Sequence, residues 1–227
     1  VVGVFNPQIT IAYAEDNTEN LVKIIKSCNR ILIFIMSIPI AFLTAYGRDF
    51  YAMWQPTKDA DMLQRLSLLA VGVLYVSMSI QVLYHVFIIT KKVKWNSLVI
   101  LGSGVLSSCL SLFLLKTTDL GVMVFPLSSM LTGLLRNLIF TPIYAARCLK
   151  IRWNRFYGDI LLGWISIGSI VILGNLSRMV FPVDSWIKLI LTGVVMGPLS
   201  LALNFLIILR KEEREMVIGM LKSRLKG

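Results

Sequence analysis

The sequence predicts an all-α fold, a polytopic transmembrane helical bundle, and three observations carry that prediction. First, the 227-residue chain is 56% hydrophobic with a mean hydropathy of +0.77, above the apolar share of about 45–50% found in soluble domains. Second, apolar runs long enough for a hydrocarbon core of roughly 30 Å recur along it. Third, the charges collect between those runs. Of the 23 Lys and Arg, 16 fall in the connectors 15–30, 91–96, 147–157 and 210–227, and 6 in the intervening connectors 47–65, 116–119 and 178–188. The alternation follows the positive-inside rule and implies six complete spans after a partial one, with the tail and the Lys91 loop cytoplasmic.

In chain order, residues 1–14 (VVGVFNPQITIAYA) are too short to span and read as the tail of a helix whose beginning is missing; there is no signal peptide and no initiator Met. In the polar connector 15–30, Leu21, Val22, Ile24 and Ile25 interleave with Lys23 and Lys26, which suggests an interfacial amphipathic turn or two. Residues 31–46 make a short span kinked at Pro39, and Gly47, Phe50, Tyr51 and Trp54 follow as an aromatic belt. After an interfacial loop, 66–90 forms the next span, with Gln81, Tyr84 and His85 at i, i+3, i+4 as a polar face. The span 97–115 is rich in Ser and Gly, which fits close helix packing. Two further spans, 158–180 and 185–209, hold Asn175, Arg178 and an isolated Asn204; Arg178 is placed to snorkel to the interface. The tail 210–227 has Val217, Leu221 and Leu225 on one side and Lys222, Arg224 and Lys226 on the other, as for a helix lying on the membrane surface.

The most informative run is 120–147, LGVMVFPLSSMLTGLLRNLIFTPIYAAR, which carries Arg136 and Asn137 near its middle. About 16 Å of helix separates Arg136 from Arg147, so the guanidinium starts near mid-depth. An Arg there costs about 2.5–3.5 kcal/mol on insertion scales, and it persists facing protein or a watery cavity. Ser129, Thr132, Gly133 and Arg136 share one helix face, with Leu131, Leu134, Leu135 and Leu138 on the others. Pro126 and Pro142 are expected to kink the two ends. Two roles fit Arg136: a cation turned towards a cavity, or a brace bonded to the carbonyls of a neighbouring helix.

Several function classes are disfavoured. The +11 charge is spread over short loops rather than over one surface, so nucleic acid is not expected as a partner. Cys28, Cys109 and Cys148 are an odd set without ligand spacing, so reduced thiols and no metal site are expected. The single His has no acidic partner nearby in sequence, HExxH is absent, and Asp159 is the only acid seen to border a span. No phosphate loop accompanies Gly102, Gly104 and Gly121, so neither an enzyme nor a nucleotide cofactor is expected. A helical bundle with a cationic, hydroxyl-lined face suits the transport of an anionic or hydrogen-bonding solute.

A helix end with Pro7, a small acidic connector, mixed polar and apolar residues through Arg30, a span with Pro39, then Gly47, Phe50 and an aromatic before Trp54 make up VFNPQITIAYAEDNTENLVKIIKSCNRILIFIMSIPIAFLTAYGRDFYAMW. This pattern resembles the polysaccharide and O-antigen flippases of the MATE-like multidrug/oligosaccharidyl-lipid/polysaccharide exporter superfamily. The later spans agree loosely in spacing and loop charge. The resemblance implies a two-lobe transporter of the bacterial inner membrane that moves undecaprenyl-diphosphate-linked oligosaccharide by alternating access. Residues 15–147 would then belong to the second lobe, 158–209 would be an extra carboxy-terminal helix pair, and the missing amino-terminal lobe would be a partner along with membrane lipid. Arg136 would meet the diphosphate or acidic sugars, with Asn137, Ser129, Thr132, Gln81 and His85 as secondary contacts. Alternatives are a multidrug or lipid II exporter of the same superfamily, whose extruders more often carry an intramembrane carboxylate, none of which is seen in these spans. From other classes, a membrane-embedded glycosyl- or acyltransferase and a scaffold also stand.

Overall fold

The computed structural model describes residues 2–211, 213–215 and 218. Its elements are α1 (Val2–Ala14), α2 (Thr18–Trp54), α3 (Ala60–Val71), α4 (Leu74–Ser77), α5 (Leu83–Ile89), α6 (Val93–Thr117), α7 (Val124–Leu135), α8 (Thr141–Cys148), α9 (Tyr157–Val180) and α10 (Trp186–Ile207). A 3₁₀ turn, Gly121–Met123, leads into α7, and a π-helical turn, Arg136–Phe140, joins α7 to α8. Five continuous helical tracks are long and apolar enough to cross a membrane: α2, α6, Gly121–Cys148, α9 and α10. The chain is thus an all-α, multi-pass membrane protein.

The longest element, α2, packs against α1, α3, α9 and α10. The side chain of Asn17 accepts the N–H of Asn20 to start it, and it runs 37 residues before Gln55 ends it. The connector expected at 15–30 is therefore corrected. Leu21, Val22 and Ile25 are core residues of the same helix that continues through 31–46, and Pro39 lies inside it. Lys23 stays exposed, and its charge mimics an interfacial segment when only the order of residues is read. At the far end Phe50, Tyr51 and Trp54 touch one another, and Phe50 meets Trp186 edge-on at 5.7 Å.

The segment expected as one span over 66–90 is divided. Between α3 and α5 the N–H groups of Ser79, Ile80, Leu83, Tyr84 and His85 each bond the carbonyl three residues back. Such tightening rotates side chains by about 120° per residue instead of 100°, so Gln81 and Tyr84 stay in line while His85, four residues on, is turned about 120° away and the i, i+3, i+4 face is broken. The expected close packing of 97–115 is met against α7 and the π-helical turn after it, where Ser103 reaches Arg136, but not through its glycines. Asn96 and Ser111 are the buried residues of α6, and a Cβ on Gly102 or Gly104 would meet nothing within 4 Å. Close approach happens elsewhere: a Cβ on Gly133 would lie 2.6 Å from Val73, and one on Gly174 would lie 2.9 Å from Ala45.

Helices in lipid gain little from burying apolar surface, so packing and interhelical hydrogen bonds hold them together. Asn204, expected to be isolated, is such a joint. It is fully buried, accepts from the Ser166 hydroxyl at 2.7 Å, and donates to the Phe34 carbonyl at 3.1 Å and Ser37 Oγ at 2.8 Å. One side chain thereby ties α10 to α9 and α2. Asn204→Leu is expected to lower stability by about 2 kcal/mol, from three bonds at about 0.6 kcal/mol each. Unfolding of purified protein in detergent measures it, and a loss under about 0.5 kcal/mol would show that the joint is not structural.

After α10, Arg214 folds back so that its guanidinium donates to the carbonyls of Phe205, Leu206 and Leu209. Glu213 is buried, accepting from the Ser27 hydroxyl and pairing with Arg30 at 3.5 Å. The start of the tail is thus tucked against α2. Val217, Leu221, Leu225, Lys222, Arg224 and Lys226, which carry the expected amphipathic pattern, lie outside the described residues.

Candidate functional site

The track Gly121–Cys148 is one helix whose winding changes at Arg136. Val124–Leu135 is α-helical, then Arg136–Phe140 opens to i→i+5 bonding, with the Thr141 N–H on the Arg136 carbonyl. Pro142 supplies a reason. It has no N–H, and its ring crowds the carbonyl four residues back, that of Leu138. The freed Leu138 carbonyl accepts the Tyr157 hydroxyl from α9 at 2.6 Å, as buried backbone acceptors in lipid require. Pro126 falls in the first turn of α7, just after the 3₁₀ turn, and the helix runs on through it. The bend expected at two prolines is thus one π-helical turn, and such turns are frequent at functional sites.

Within this turn Arg136 is half-buried and Asn137 is buried. The Arg136 Nε donates to Asn137 Oδ1 at 3.3 Å, and Nη1 donates to Ser103 Oγ of α6 at 3.3 Å. Ser103 in turn donates to its own helix at the Ile100 carbonyl, which leaves its oxygen free to accept. Tyr84, just inside α5, donates to the same Asn137 oxygen at 3.0 Å. Among the described residues no carboxylate lies within 4 Å of the guanidinium. Arg136 faces an open groove of about 500 Å³ between α6 and the Gly121–Cys148 track, lined otherwise by Val99, Gly102, Ser103, Thr132, Ile139 and neighbouring Leu and Phe side chains. An unneutralised cation with two long hydrogen bonds in an apolar cleft has donors to spare for an anionic ligand.

The expected contact residues do not all gather here. Asn137 and Thr132 do, although the Thr132 hydroxyl proton goes to the Ser128 carbonyl at 2.9 Å. Ser129 is exposed and is not among the groove's lining residues. Gly133, expected on the same polar face, is turned to Val73. Gln81 is exposed, and His85 meets Thr10 of α1 at 3.4 Å, on another side of the bundle from the groove. On the first helix Ser129 lies in regular α-helix ahead of the π-helical turn and sits on the outward side, while Ser128 and Thr132 are buried; on the other, the 3₁₀ winding turns His85 off the line of Gln81 and Tyr84. Ser103 and Tyr84 take the places that Ser129 and Gln81 were expected to fill.

Acidic groups in the membrane-spanning helices also differ from expectation. Asp49, near the end of α2, receives Arg178 of α9 through both carboxylate oxygens at 3.0 Å, while Arg178 also donates to the Ala45 carbonyl at 3.0 Å. Arg178 therefore does not snorkel away; it bridges two helices. Asp159, in the first turn of α9, is buried and accepts from Asn29 of α2 at 3.2 Å. Asp159 thus borders its span as expected, and Asp49 is a second carboxylate at the end of a membrane-length helix. Among the described residues no three His, Cys, Asp or Glu side chains gather as a metal site would require, and Cys28, Cys109 and Cys148 are free thiols.

Comparison with known proteins places the chain among membrane proteins. It is 25% identical over 225 residues to a protein of Bacillus subtilis (strain 168) named as the uncharacterized membrane protein EpsK. The match covers 96% of this chain and 43% of that protein, so the chain spans less than half the length of the curated relative it matches. No family model matches the chain, and no solved structure is similar to it.

Proposed function

We propose that the chain is the second-lobe portion of an alternating-access transporter that moves undecaprenyl-diphosphate-linked oligosaccharide across the bacterial cytoplasmic membrane, making and breaking no covalent bond. The observation that carries the reading is Arg136. It sits mid-way along a membrane-length helix, without a carboxylate partner among the described residues, and lines an open groove. Charge in a low-dielectric site interacts more strongly than in water, so a diphosphate entering this groove would replace the long Ser103 contact with charge-assisted bonds. Asn137, held by Tyr84, would orient the guanidinium, and Ser103 and Thr132 would offer oxygens to sugar hydroxyls or water. The resemblance of residues 4–54 to the flippases supports the substrate class.

A second reading is favoured by Asp159. A buried carboxylate in the first turn of a span, with Asn29 as its hydrogen-bonding partner, suits an extruder that trades protons or sodium for a drug. The location of labelled undecaprenyl-linked glycan in a host lacking the full-length protein separates the two. Accumulation on the cytoplasmic leaflet with loss of surface polysaccharide is expected. Normal export with new sensitivity to cationic drugs would replace the flippase reading with the extruder.

A further inference from the structure

A second groove, of about 580 Å³, lies between α3, the turn through α4, the Gly121–Cys148 track and α9, away from Arg136. Its size falls in the range of about 300–1,000 Å³ typical of small-molecule sites. Arg65 lies at one end of its α3 wall, and the lining continues through Leu69, Gly72, Met130 and Leu138 to Trp164. Gly72 shapes the wall, because a Cβ there would collide with the Met130 thioether. The hydroxyl of Tyr75, which also lines the groove, is engaged with Thr44. Leu74 and Leu161, beside the lining residues in sequence, are exposed apolar side chains, so the groove opens onto hydrocarbon-facing surface.

Length and charge identify what fits. From Arg65 to Val76, the last lining residue of that wall, eleven residues of mixed α and 3₁₀ winding rise about 16–22 Å, of the order of half of a hydrocarbon core of roughly 30 Å. The groove is therefore one leaflet deep. At its mouth the carboxylates are engaged, and Arg65 stands one helical turn from Asp61 without a polar contact of its own among the described residues. Arg48 bonds Asp61 at 2.7 Å and holds its carboxyl below the usual range, while Asp59 accepts the N–H groups of Asp61 and Met62 as the cap of α3. Arg65 is exposed and makes no ion pair or side-chain hydrogen bond among the described residues. It lies on the side of the membrane that the loop charges assign to the exterior.

We propose that this groove holds one anionic glycerophospholipid of the outer leaflet, its acyl chain against Leu69 and Met130 and its phosphate on Arg65. A polyprenyl chain many isoprene units long overruns a cleft of one leaflet's depth, whereas an acyl chain ends near its floor at Leu138 and Trp164. The site is separate from the Arg136 groove and does not depend on which solute that groove meets.

Native mass spectrometry of the detergent-purified full-length protein, titrated with phosphatidylglycerol or phosphatidylcholine, tests the proposal. One tightly retained lipid is expected, with phosphatidylglycerol preferred at least fivefold. Arg65→Glu removes that preference; its side chain is exposed, so folding is spared. Leu69→Trp fills the cleft and removes retention of both lipids, while Lys116→Glu, on the same membrane side but outside the groove, leaves the preference intact. An unchanged preference in Arg65→Glu overturns the proposal, as does fragmentation that identifies the retained lipid as a polyprenyl phosphate.

Discussion

On the proposed flippase reading, Arg136→Ala in the full-length protein is expected to lower glycan translocation by at least tenfold while the thermal stability of the protein stays within about 1 kcal/mol of the parent and its amount is unchanged. The size follows from hydrogen bonds to charged groups, worth about 1.5–3 kcal/mol each, which correspond to roughly 10- to 100-fold in a rate that depends on holding the anion. The stability half follows from what the guanidinium touches. Two bonds at 3.3 Å, to Asn137 and Ser103, are near the limit of useful length, and the insertion cost of about 2.5–3.5 kcal/mol for a mid-membrane Arg vanishes on substitution. Arg136→Lys is expected to retain part of the activity, since a lysine supplies the charge as a point but not the planar fork. A fluorescence or radiolabel assay of leaflet location, run beside membrane protein levels, reads both quantities. Persisting translocation removes the substrate role, and disappearance of the protein makes Arg136 a brace.

The helical class and the track through Arg136 were legible because both rest on composition and local order, which do not depend on contacts. Arg136 and Asn137 stood out by being expensive where they lie. Their partners were hidden. Ser103 precedes Arg136 by 33 positions and Tyr84 precedes Asn137 by 53, and nothing in the spacing links them. Ser129, Gln81 and His85 were placed by assuming uniform α-helical winding. The winding does change, at the π-helical turn Arg136–Phe140 and at the i→i+3 bonds leading into α5, and the latter turn His85 off the line of Gln81 and Tyr84; Ser129, ahead of the π-helical turn, keeps its register and faces outward beside the buried Ser128. Pro142 was the visible sign of the first departure, but the second has no Gly or Pro between Val73 and His85 to announce it. The length of α2 was concealed for a related reason. Lys26 and Arg30 are polar residues that enter the bundle partly buried, with Arg30 meeting Glu213 from the far end of the chain.

Arg178→Ala is expected to destabilise the bundle by about 3 kcal/mol, the low end of what breaking a buried pair costs, because the pair is partly accessible at 31% and 12% side-chain exposure. The loss comes less from the missing attraction than from what stays behind. Asp49 loses both of its 3.0 Å guanidinium contacts, and the Ala45 carbonyl loses its donor. The geometry couples this pair to packing, since Gly174 lies one turn before Arg178 against Ala45, and Tyr46 donates to the Gly174 carbonyl at 3.1 Å. Asp49 and Arg178 thus close the same α2–α9 contact that Gly174 makes possible. The exchange Asp49→Arg with Arg178→Asp restores the opposite charges and should recover at least half of the loss. An Asp49→Leu, Arg178→Met double variant should equal or exceed the parent, because apolar side chains of similar bulk replace a pair whose desolvation nearly cancels its attraction. Chemical unfolding of the four proteins in the same detergent decides. If Arg178→Ala costs less than 1 kcal/mol, the pair is solvated surface chemistry and the α2–α9 contact is held by Gly174 and Tyr46 alone.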